Sequence, residues 1–324
     1  MRKIEWVLLA LGLALFVVLI DRVGWGEIYR QFRQIGWVFL LVLGVSTGRY
    51  LARTRAWQRA FAGRDDTPPF WQLFQVRLAG ESLNYLTVAG PILGEPTKAT
   101  LLRERLPVAV GLGGTLIEAG IYGLTSGLIT LPGLVLFLVR VTLDPGMQRA
   151  GWLVALLLAL LLLFSWMMLR RRLHVLSAAV RWVSRGPLGR RLERGRPHLE
   201  QLEDQLFLFY AGHTRAFRAV FLWDCLAQVF AVLEIYVILA ALGVRVGLAE
   251  LVIMEGMGKV IKAMFFFVPG RVGTDEAGAA FVFQALGYGW ALGIGLGLVR
   301  RLRALVWSGA GLAFLSRHVL RRPA

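Results

Sequence analysis

Two stretches of this chain, 178 positions apart, carry the same irregular pattern within otherwise apolar sequence. In each, polar residues at i, i+4 and i+7 share one face of a helix, and a Pro/Gly break follows. Paired, interrupted hydrophobic segments at matching places in two halves of a chain are typical of the substrate site of a transporter with internal repeats. The first stretch has Arg77, Glu81, Asn84, Pro91, Gly94, Glu95 and Lys98, and the second has Glu255, Lys259, Lys262, Pro269, Gly270, Gly273 and Glu276.

Composition places the chain in the membrane. Of its 324 residues 57% are hydrophobic, and the mean hydropathy is +0.62, which is too apolar for an ordinary soluble domain. The net charge of +17 includes eleven arginines between Arg170 and Arg218, directly after an uncharged run. A basic loop beside a membrane explains these arginines by attraction to anionic lipid. Because no recognition motif accompanies the charge, no nucleic-acid partner is expected.

Apolar runs long enough to cross the membrane define the predicted fold class. We expect an all-α polytopic membrane protein with six transmembrane helices and two re-entrant helical hairpins in an inverted repeat. The hairpins correspond to 70–106 and 248–286. Residues 1–324 form one membrane domain, with repeat one at about 1–140, repeat two at about 151–324 and a basic linker at about 170–215. The six spans are 4–20, 36–51, 108–139, 151–169, 219–244 and 287–316.

The distribution of Arg and Lys predicts the orientation. The loops that follow the second span and the first hairpin, the linker and the carboxy-terminal tail are the most basic, so we expect them and both termini to be cytoplasmic. The segments at 21–33, 140–149 and around Arg245 would be outward-facing loops. Each half has three crossings, and an odd number of crossings inverts the second half relative to the first. The first hairpin would therefore enter from the cytoplasm and the second from outside. The chain would then reside in a bacterial inner membrane.

Charged residues within apolar spans are costly and mark candidate functional positions. Glu118 and Glu234 lie mid-span, and Arg300 interrupts the last span together with Arg301 and Arg303. A guanidinium is suited to phosphate, and a buried carboxyl group to proton coupling. The alternative is that these arginines form static ion pairs with Glu118 or Glu234. The sequence leaves both interpretations open.

The hairpins offer a second set of candidates. Lys259 and Lys262 share a helical face with Glu255, while Glu95 and Lys98 follow the first break. Helix amino-termini near the breaks would add amide donors for a lipid headgroup. Salt bridges that only hold the two halves together are the alternative. The single cysteine and scattered histidines predict neither a metal site nor another cofactor.

The segments GESLNYLTVAGPILGEPTK, at 80–98, and VPGRVGTDEAG, at 268–278, resemble the lysylphosphatidylglycerol synthase transmembrane family, also called flippase-like. In the multiple peptide resistance factors, this membrane unit is fused to a soluble aminoacyl transferase and translocates aminoacylated phosphatidylglycerol. No such soluble unit is evident in this sequence. The resemblance therefore implies lipid translocation and argues against lipid aminoacylation. Pro96 departs from the family pattern at the start of the adjoining helix.

These observations predict a lipid flippase or transporter, not an enzyme, for a lipid with an anionic phosphate headgroup. The partner would be a phospholipid or a polyprenyl-phosphate lipid, and a homodimer is compatible with the sequence. A scaffold of an envelope-lipid pathway and a lipid-modifying enzyme, with Glu95 or Glu276 as acid/base, are the alternatives. The candidate substrate-binding residues are Lys259, Lys262, Arg271, Arg300, Asn84 and Lys98, and the candidates for gating or proton coupling are Glu95, Glu118, Glu234 and Glu276.

Overall fold

The computed structural model describes residues 25–86, 90–171, 209 and 212–320. Within these ranges the chain forms ten α-helices and one short 3₁₀ turn at Pro269–Arg271. The predicted first span, 4–20, and most of the basic linker lie outside the described residues. The helices are α1 (Trp25–Ile35), α2 (Val38–Ala60), α3 (Phe70–Leu86), α4 (Gly90–Leu101), α5 (Val108–Arg140), α6 (Pro145–Arg171), α7 (Thr214–Ala241), α8 (Leu248–Met264), α9 (Thr274–Ala285) and α10 (Trp290–Leu320).

Long helices lie at the five predicted spans that fall in the described part, but α10 is not among those apolar enough to cross a membrane. Helices α5, α6 and α7 are long and apolar enough to cross a membrane, and α2 joins them if it is counted with residues 29–35, from which it is bent by 71°. Helix α10 has 31 residues, or about 46 Å of helix, but three arginines lower its hydropathy. The segment at 21–33, expected to be a loop, contains most of α1 instead.

Helices α3 and α4 form an antiparallel hairpin. Asn84 donates a hydrogen bond to Glu95 over 3.3 Å, and one turn earlier on α3 Gly80 lies against Lys98 of α4. The two helices approach so closely because Gly80 and Gly94 lack side chains at their contact. A Cβ atom at Gly94 would lie only 2.7 Å from the Gly80 carbonyl oxygen.

The two proline breaks differ in structure. Pro269 begins the 3₁₀ turn between α8 and α9, where Gly270 and Gly273 adopt positive φ angles of 56° and 77°. Pro91 was expected to mark a turn as well, but it is the second residue of α4. Proline is tolerated there because the first turn of a helix leaves its N–H groups without intrahelical acceptors.

The two halves of the described chain pack in the same way. Helices α3 and α8 both have 17 residues and begin 178 positions apart. Helix α3 packs on α10 of the second half, α8 packs on α5 of the first, and α2 packs on α7. Backbones touch in both cross-contacts, at Gly311 against Leu78 and at Gly256 against Gly133. The repeat seen in the sequence is therefore also a repeat of packing.

Helix α6 lies at the periphery of the described part, where it packs mainly against α5. Leu156, Leu160 and Leu163 are each at least 50% exposed. An apolar surface of this extent on a long helix is typical of contact with lipid or with another membrane-embedded surface. This agrees with the assignment of the chain to the membrane.

The backbone contact between α5 and α8 leads to a stability prediction. A Cβ atom at Gly133 would lie 2.5 Å from the Val252 carbonyl oxygen and 2.9 Å from the Gly256 Cα. Gly133→Ala should therefore separate the helices and lower stability by roughly 1–3 kcal/mol, measured as a lower melting temperature in detergent.

Gly120→Ala is the matched control on the same helix. Gly120 is exposed, and no neighbouring atom lies within 4 Å of the position that a Cβ atom would take there. Alanine should therefore leave stability unchanged or raise it by up to about 1 kcal/mol. Equal melting temperatures for the two variants would show that the contact at Gly133 does not constrain the fold.

Candidate functional site

A cavity of about 340 Å³ lies where the two hairpins meet α2 and α10. Tyr85, near the end of α3, approaches the 3₁₀ turn of the second hairpin: the Arg271 guanidinium lies 6.0 Å from its ring centroid. The described end of α3 and the turn after α8 are therefore neighbours. The volume falls in the range of pockets that bind small molecules.

Bases outnumber acids in the cavity wall. Six basic side chains line it, against three carboxylates, in a surface that also contains apolar residues. The bases are Arg49, Lys262, Arg271, Arg300, Arg301 and Arg303, and the acids are Glu81, Asp275 and Glu276.

Arg300 is held by two buried carboxylates behind the cavity wall. Its Nε lies 3.0 Å from Glu234 and its Nη2 lies 2.8 Å from Glu255. Arg303 also pairs with Glu234, at 2.6 Å, and Lys259 lies 3.5 Å from Glu255. This geometry favours the interpretation of Arg300 as a counter-ion, although it still lines the cavity.

The first half contains the same arrangement with the charges reversed. Here one carboxylate, Glu118, is held by Arg53 at 3.0 Å and Arg77 at 3.1 Å, whereas in the second half one arginine holds two carboxylates. Glu118 and Arg300 are each the eleventh residue of their helices, α5 and α10. The sequence left Glu118 and Glu234 open as partners of Arg300. The structure pairs Arg300 with Glu234, and not with Glu118.

The other members of these two triads also occupy matching positions. Arg77 and Glu255 are each the eighth residue of α3 and α8. Arg53 and Glu234 each lie seven residues before the end of α2 and α7. We call Arg53, Arg77 and Glu118 the first triad, and Glu234, Glu255 and Arg300 the second triad. Each triad ties the first helix of a hairpin to two long helices of the same half.

A separate pair holds the start of α9. Glu276 accepts a hydrogen bond from the Gly273 backbone N–H over 3.0 Å and pairs with Arg301 at 2.8 Å. Arg301 also donates to the Arg271 carbonyl oxygen over 3.1 Å. Arg271, which has a positive φ of 49°, pairs with Asp275 at 3.3 Å. The turn between α8 and α9 is thereby fixed to α10.

The charges of the first hairpin form their own cluster beside the cavity. Lys98, only 1% exposed, lies 2.8 Å from Glu95 and 3.7 Å from Glu81. Asn84 links this cluster to the cavity because it lines the wall and also donates to Glu95. Lys98 is therefore neutralised within its own hairpin.

Two cations in the cavity wall have no carboxylate partner among the described residues. Lys262 makes no hydrogen bond or ion pair there, and Arg49 only donates to the Tyr122 hydroxyl over 3.4 Å. At the rim of the same cavity Phe266 is 71% exposed, and Met264 and Phe267 beside it are also exposed. The cavity thus combines a basic wall with an apolar rim.

The structure brings together half of the predicted site residues. Five line the cavity: Asn84, Lys262, Arg271, Glu276 and Arg300. Five do not, and lie in the surrounding ion pairs: Glu95, Lys98, Glu118, Glu234 and Lys259.

Several cavity residues were missed by the sequence reasoning. Arg49 lies near the end of the predicted span 36–51, and Glu81 belongs to the repeated pattern but not to the predicted site. The i+4 interval from Arg49 to Arg53 was the available signal, since it places two arginines on one face of an apolar helix.

Among the described residues, no group of three or more His, Cys, Asp and Glu side chains could hold a metal ion.

Comparison with known families decides the assignment. Residues 6–311 match the sequence model of the lysylphosphatidylglycerol synthase transmembrane region. The chain belongs to this family. No curated protein and no solved structure gives a significant match. Membership supports a membrane protein with a lipid-related function.

The second triad gives a test of whether Arg300 is structural. Arg300→Met should lower stability by roughly 3 kcal/mol or more, because Glu255 and Glu234 would be left with fewer counter-charges in a buried site. Adding Glu255→Gln should restore part of the loss, measured as a positive coupling in a double-mutant cycle of melting temperatures.

Arg317→Met, at an exposed position of the same helix, should leave the melting temperature unchanged. If Arg300→Met behaves like this control while lipid transport falls, Arg300 is a ligand of the substrate and not a counter-ion.

Proposed function

We propose that this protein is a lipid flippase or transporter that moves an anionic, phosphate-bearing lipid across the membrane. The observation that carries the proposal is the cavity between the hairpins, in which Lys262 and Arg49 lack carboxylate partners in the described chain and the exposed side chain of Phe266 forms part of the rim. A phosphate headgroup would bind the cations, while Phe266 and Met264 would cover the first part of the acyl or prenyl chain. Membership of a lipid-related family supports the same function.

The proposed layout is an inverted repeat in which α3–α4 and α8–α9 are re-entrant hairpins. Helices of 17 and 12 residues extend about 26 and 18 Å, less than the hydrocarbon thickness of about 30 Å. The equivalent packing of the halves supports two such hairpins that meet near mid-membrane. Both termini would be cytoplasmic in a bacterial inner membrane.

Alternating access would come from movement of the hairpins around the bound headgroup. In the described chain, Arg271 lies over the Tyr85 ring, and a Cβ atom at Gly270 would lie 3.9 Å from the Tyr85 carbonyl oxygen; no ion pair is seen between these two ends. By contrast, the triads hold α3 and α8 to long helices through several short ion pairs. The joint between the hairpin ends is therefore the proposed gate.

An enzymatic function has less support. Glu95 and Glu276, the acid/base candidates, are engaged by Lys98 and Arg301 respectively. A general base needs a free oxygen within reach of a substrate proton. Both oxygens of Glu276 accept hydrogen bonds from Arg301, and Glu95, whose Oε2 accepts none in the described chain, does not line the cavity. A non-transporting scaffold remains the second candidate because a shared fold does not guarantee a shared activity.

A transport assay in liposomes tests the function by comparing substitutions of Lys262 and Lys259, which both lie on α8. Lys262 lines the cavity, whereas Lys259, nearly one turn earlier, pairs with Glu255 and donates to Gln228. Lys262→Gln should reduce the rate of headgroup movement roughly tenfold or more because a charge-assisted contact is lost. Lys259→Gln should retain most of the rate.

The assay would follow dithionite quenching of acyl-labelled phosphatidylglycerol and phosphatidic acid in proteoliposomes. Wild-type rates no higher than those of protein-free liposomes, for both lipids, would favour the scaffold. Chemical conversion of either lipid, seen by chromatography, would favour the enzyme.

Cysteine labelling tests the inverted layout at four positions beside the hairpins, which are equivalent in pairs. In a Cys225→Ser background, cysteines at Arg64 and Arg103 flank the first hairpin, and cysteines at Arg245 and Trp290 flank the second. In intact cells an impermeant thiol reagent should modify the second pair and not the first, because the positive-inside rule places the more basic loops in the cytoplasm. Labelling of both pairs would contradict the inverted repeat.

A further inference from the structure

When the charged side chains around the cavity are paired with one another, basic side chains are left over. Asp275 is paired with Arg271, and Glu276 with Arg301. Glu81, the third acid of the wall, lies within ion-pair distance of Arg53, Arg77 and Lys98. Every carboxylate in the described cavity wall therefore already has a base.

The bases from α10 are likewise satisfied. Arg300 and Arg303 are bound by Glu234 and Glu255, which lie behind the wall. Both carboxylate oxygens of Glu255 already have a partner, because Oε2 binds Arg300 and Oε1 faces Lys259. Asp224, a buried carboxyl group of α7, does not line the cavity.

Two cations thus remain in one cavity without a carboxylate partner in the described part of the chain. Lys262, on α8, and Arg49, on α2, both line this cavity of about 340 Å³, so a ligand within it can meet both cations. Two like charges in an apolar interior repel each other and lose hydration, so an anion bound between them is favoured. A ligand with a single negative charge would neutralise only one of them.

We infer, building on the proposed function, that the site selects a headgroup with two negative charges, a phosphomonoester or a diphosphate, over a singly charged phosphodiester. A phosphomonoester carries a charge of about −1.5 to −2 at pH 7 and three acceptor oxygens. The Arg49 guanidinium can bind two of these oxygens at once, and the Lys262 ammonium can bind the third. A headgroup with a net positive charge, such as an aminoacylated phosphodiester, would increase the excess of positive charge in the cavity and should bind weakly.

Equilibrium binding to three lipids with identical dioctanoyl chains tests this selectivity. The lipids are phosphatidic acid, phosphatidylglycerol and lysylphosphatidylglycerol, and binding to the full chain in detergent is measured by native mass spectrometry. We expect phosphatidic acid to bind about tenfold more tightly than phosphatidylglycerol at pH 7.5, and lysylphosphatidylglycerol to bind most weakly. At pH 5 the preference should shrink, because the phosphomonoester has a second pKa near 6 and loses its second charge.

Single substitutions test which residues cause the preference for phosphatidic acid over phosphatidylglycerol. Arg49→Gln and Lys262→Gln should each bring the affinities for phosphatidic acid and phosphatidylglycerol to within about threefold of each other. Arg317→Gln, which removes an exposed cation of α10 outside the cavity wall, should retain the tenfold difference. Inorganic pyrophosphate should displace phosphatidic acid only at concentrations far above that lipid's own Kd, since it lacks chains to cover Phe266.

Three results would overturn the inference. Equal affinity of the wild-type protein for phosphatidic acid and phosphatidylglycerol would remove the selectivity, and would leave the proposed function intact if either lipid is still transported. A preference that survives in both Arg49→Gln and Lys262→Gln would place the recognition elsewhere. Displacement by pyrophosphate at concentrations near the lipid Kd would identify a soluble phosphate, not a lipid, as the ligand.

Discussion

The burial of charge in an apolar interior is the constraint on which this structure depends. Glu118 and Glu234 have side-chain exposures of 1% and 0%, where an uncompensated charge would be costly. Each carboxylate is therefore bound by two arginines from other helices, and these ion pairs hold the helices together. The first triad ties α2, α3 and α5 together, and the second ties α7, α8 and α10. The cavity lies beside these fixed points.

The reversal of charge between the triads has a physical basis. An ion pair is equally well satisfied whether the acid or the base is central, provided that the number and placement of partners are kept. Glu118 and Arg300 can therefore occupy equivalent places in α5 and α10 while Arg77 and Glu255 exchange roles in α3 and α8. What the repeat preserves is the geometry of a buried three-charge cluster. This explains why the repeat is visible in the spacing of the polar residues and not in their types.

Much of the helical layout could be predicted because it depends on local properties. Long apolar runs predicted α2, α5, α6, α7 and α10, and the Pro/Gly breaks predicted the two pairs of shorter helices. The predictions that were wrong concern details set by neighbouring structure. Residues 25–35 form a helix that docks through Gln31 on the start of α10, and Pro91 is the second residue of α4, where the first helical turn tolerates proline. Neither outcome can be read from periodicity alone.

The sequence by itself determined the membrane class, the family, the repeat and the set of residues whose charges require burial. Only the tertiary structure decided how these charges pair, because a helical pattern places a side chain on a face but does not specify which helix that face meets. Arg300 and Lys262 were equivalent candidates in the sequence, yet Arg300 is bound by two carboxylates and Lys262 by none in the described chain. That difference arises from the packing of α8 against its neighbouring helices, and it separates a counter-ion from a cation available to a ligand.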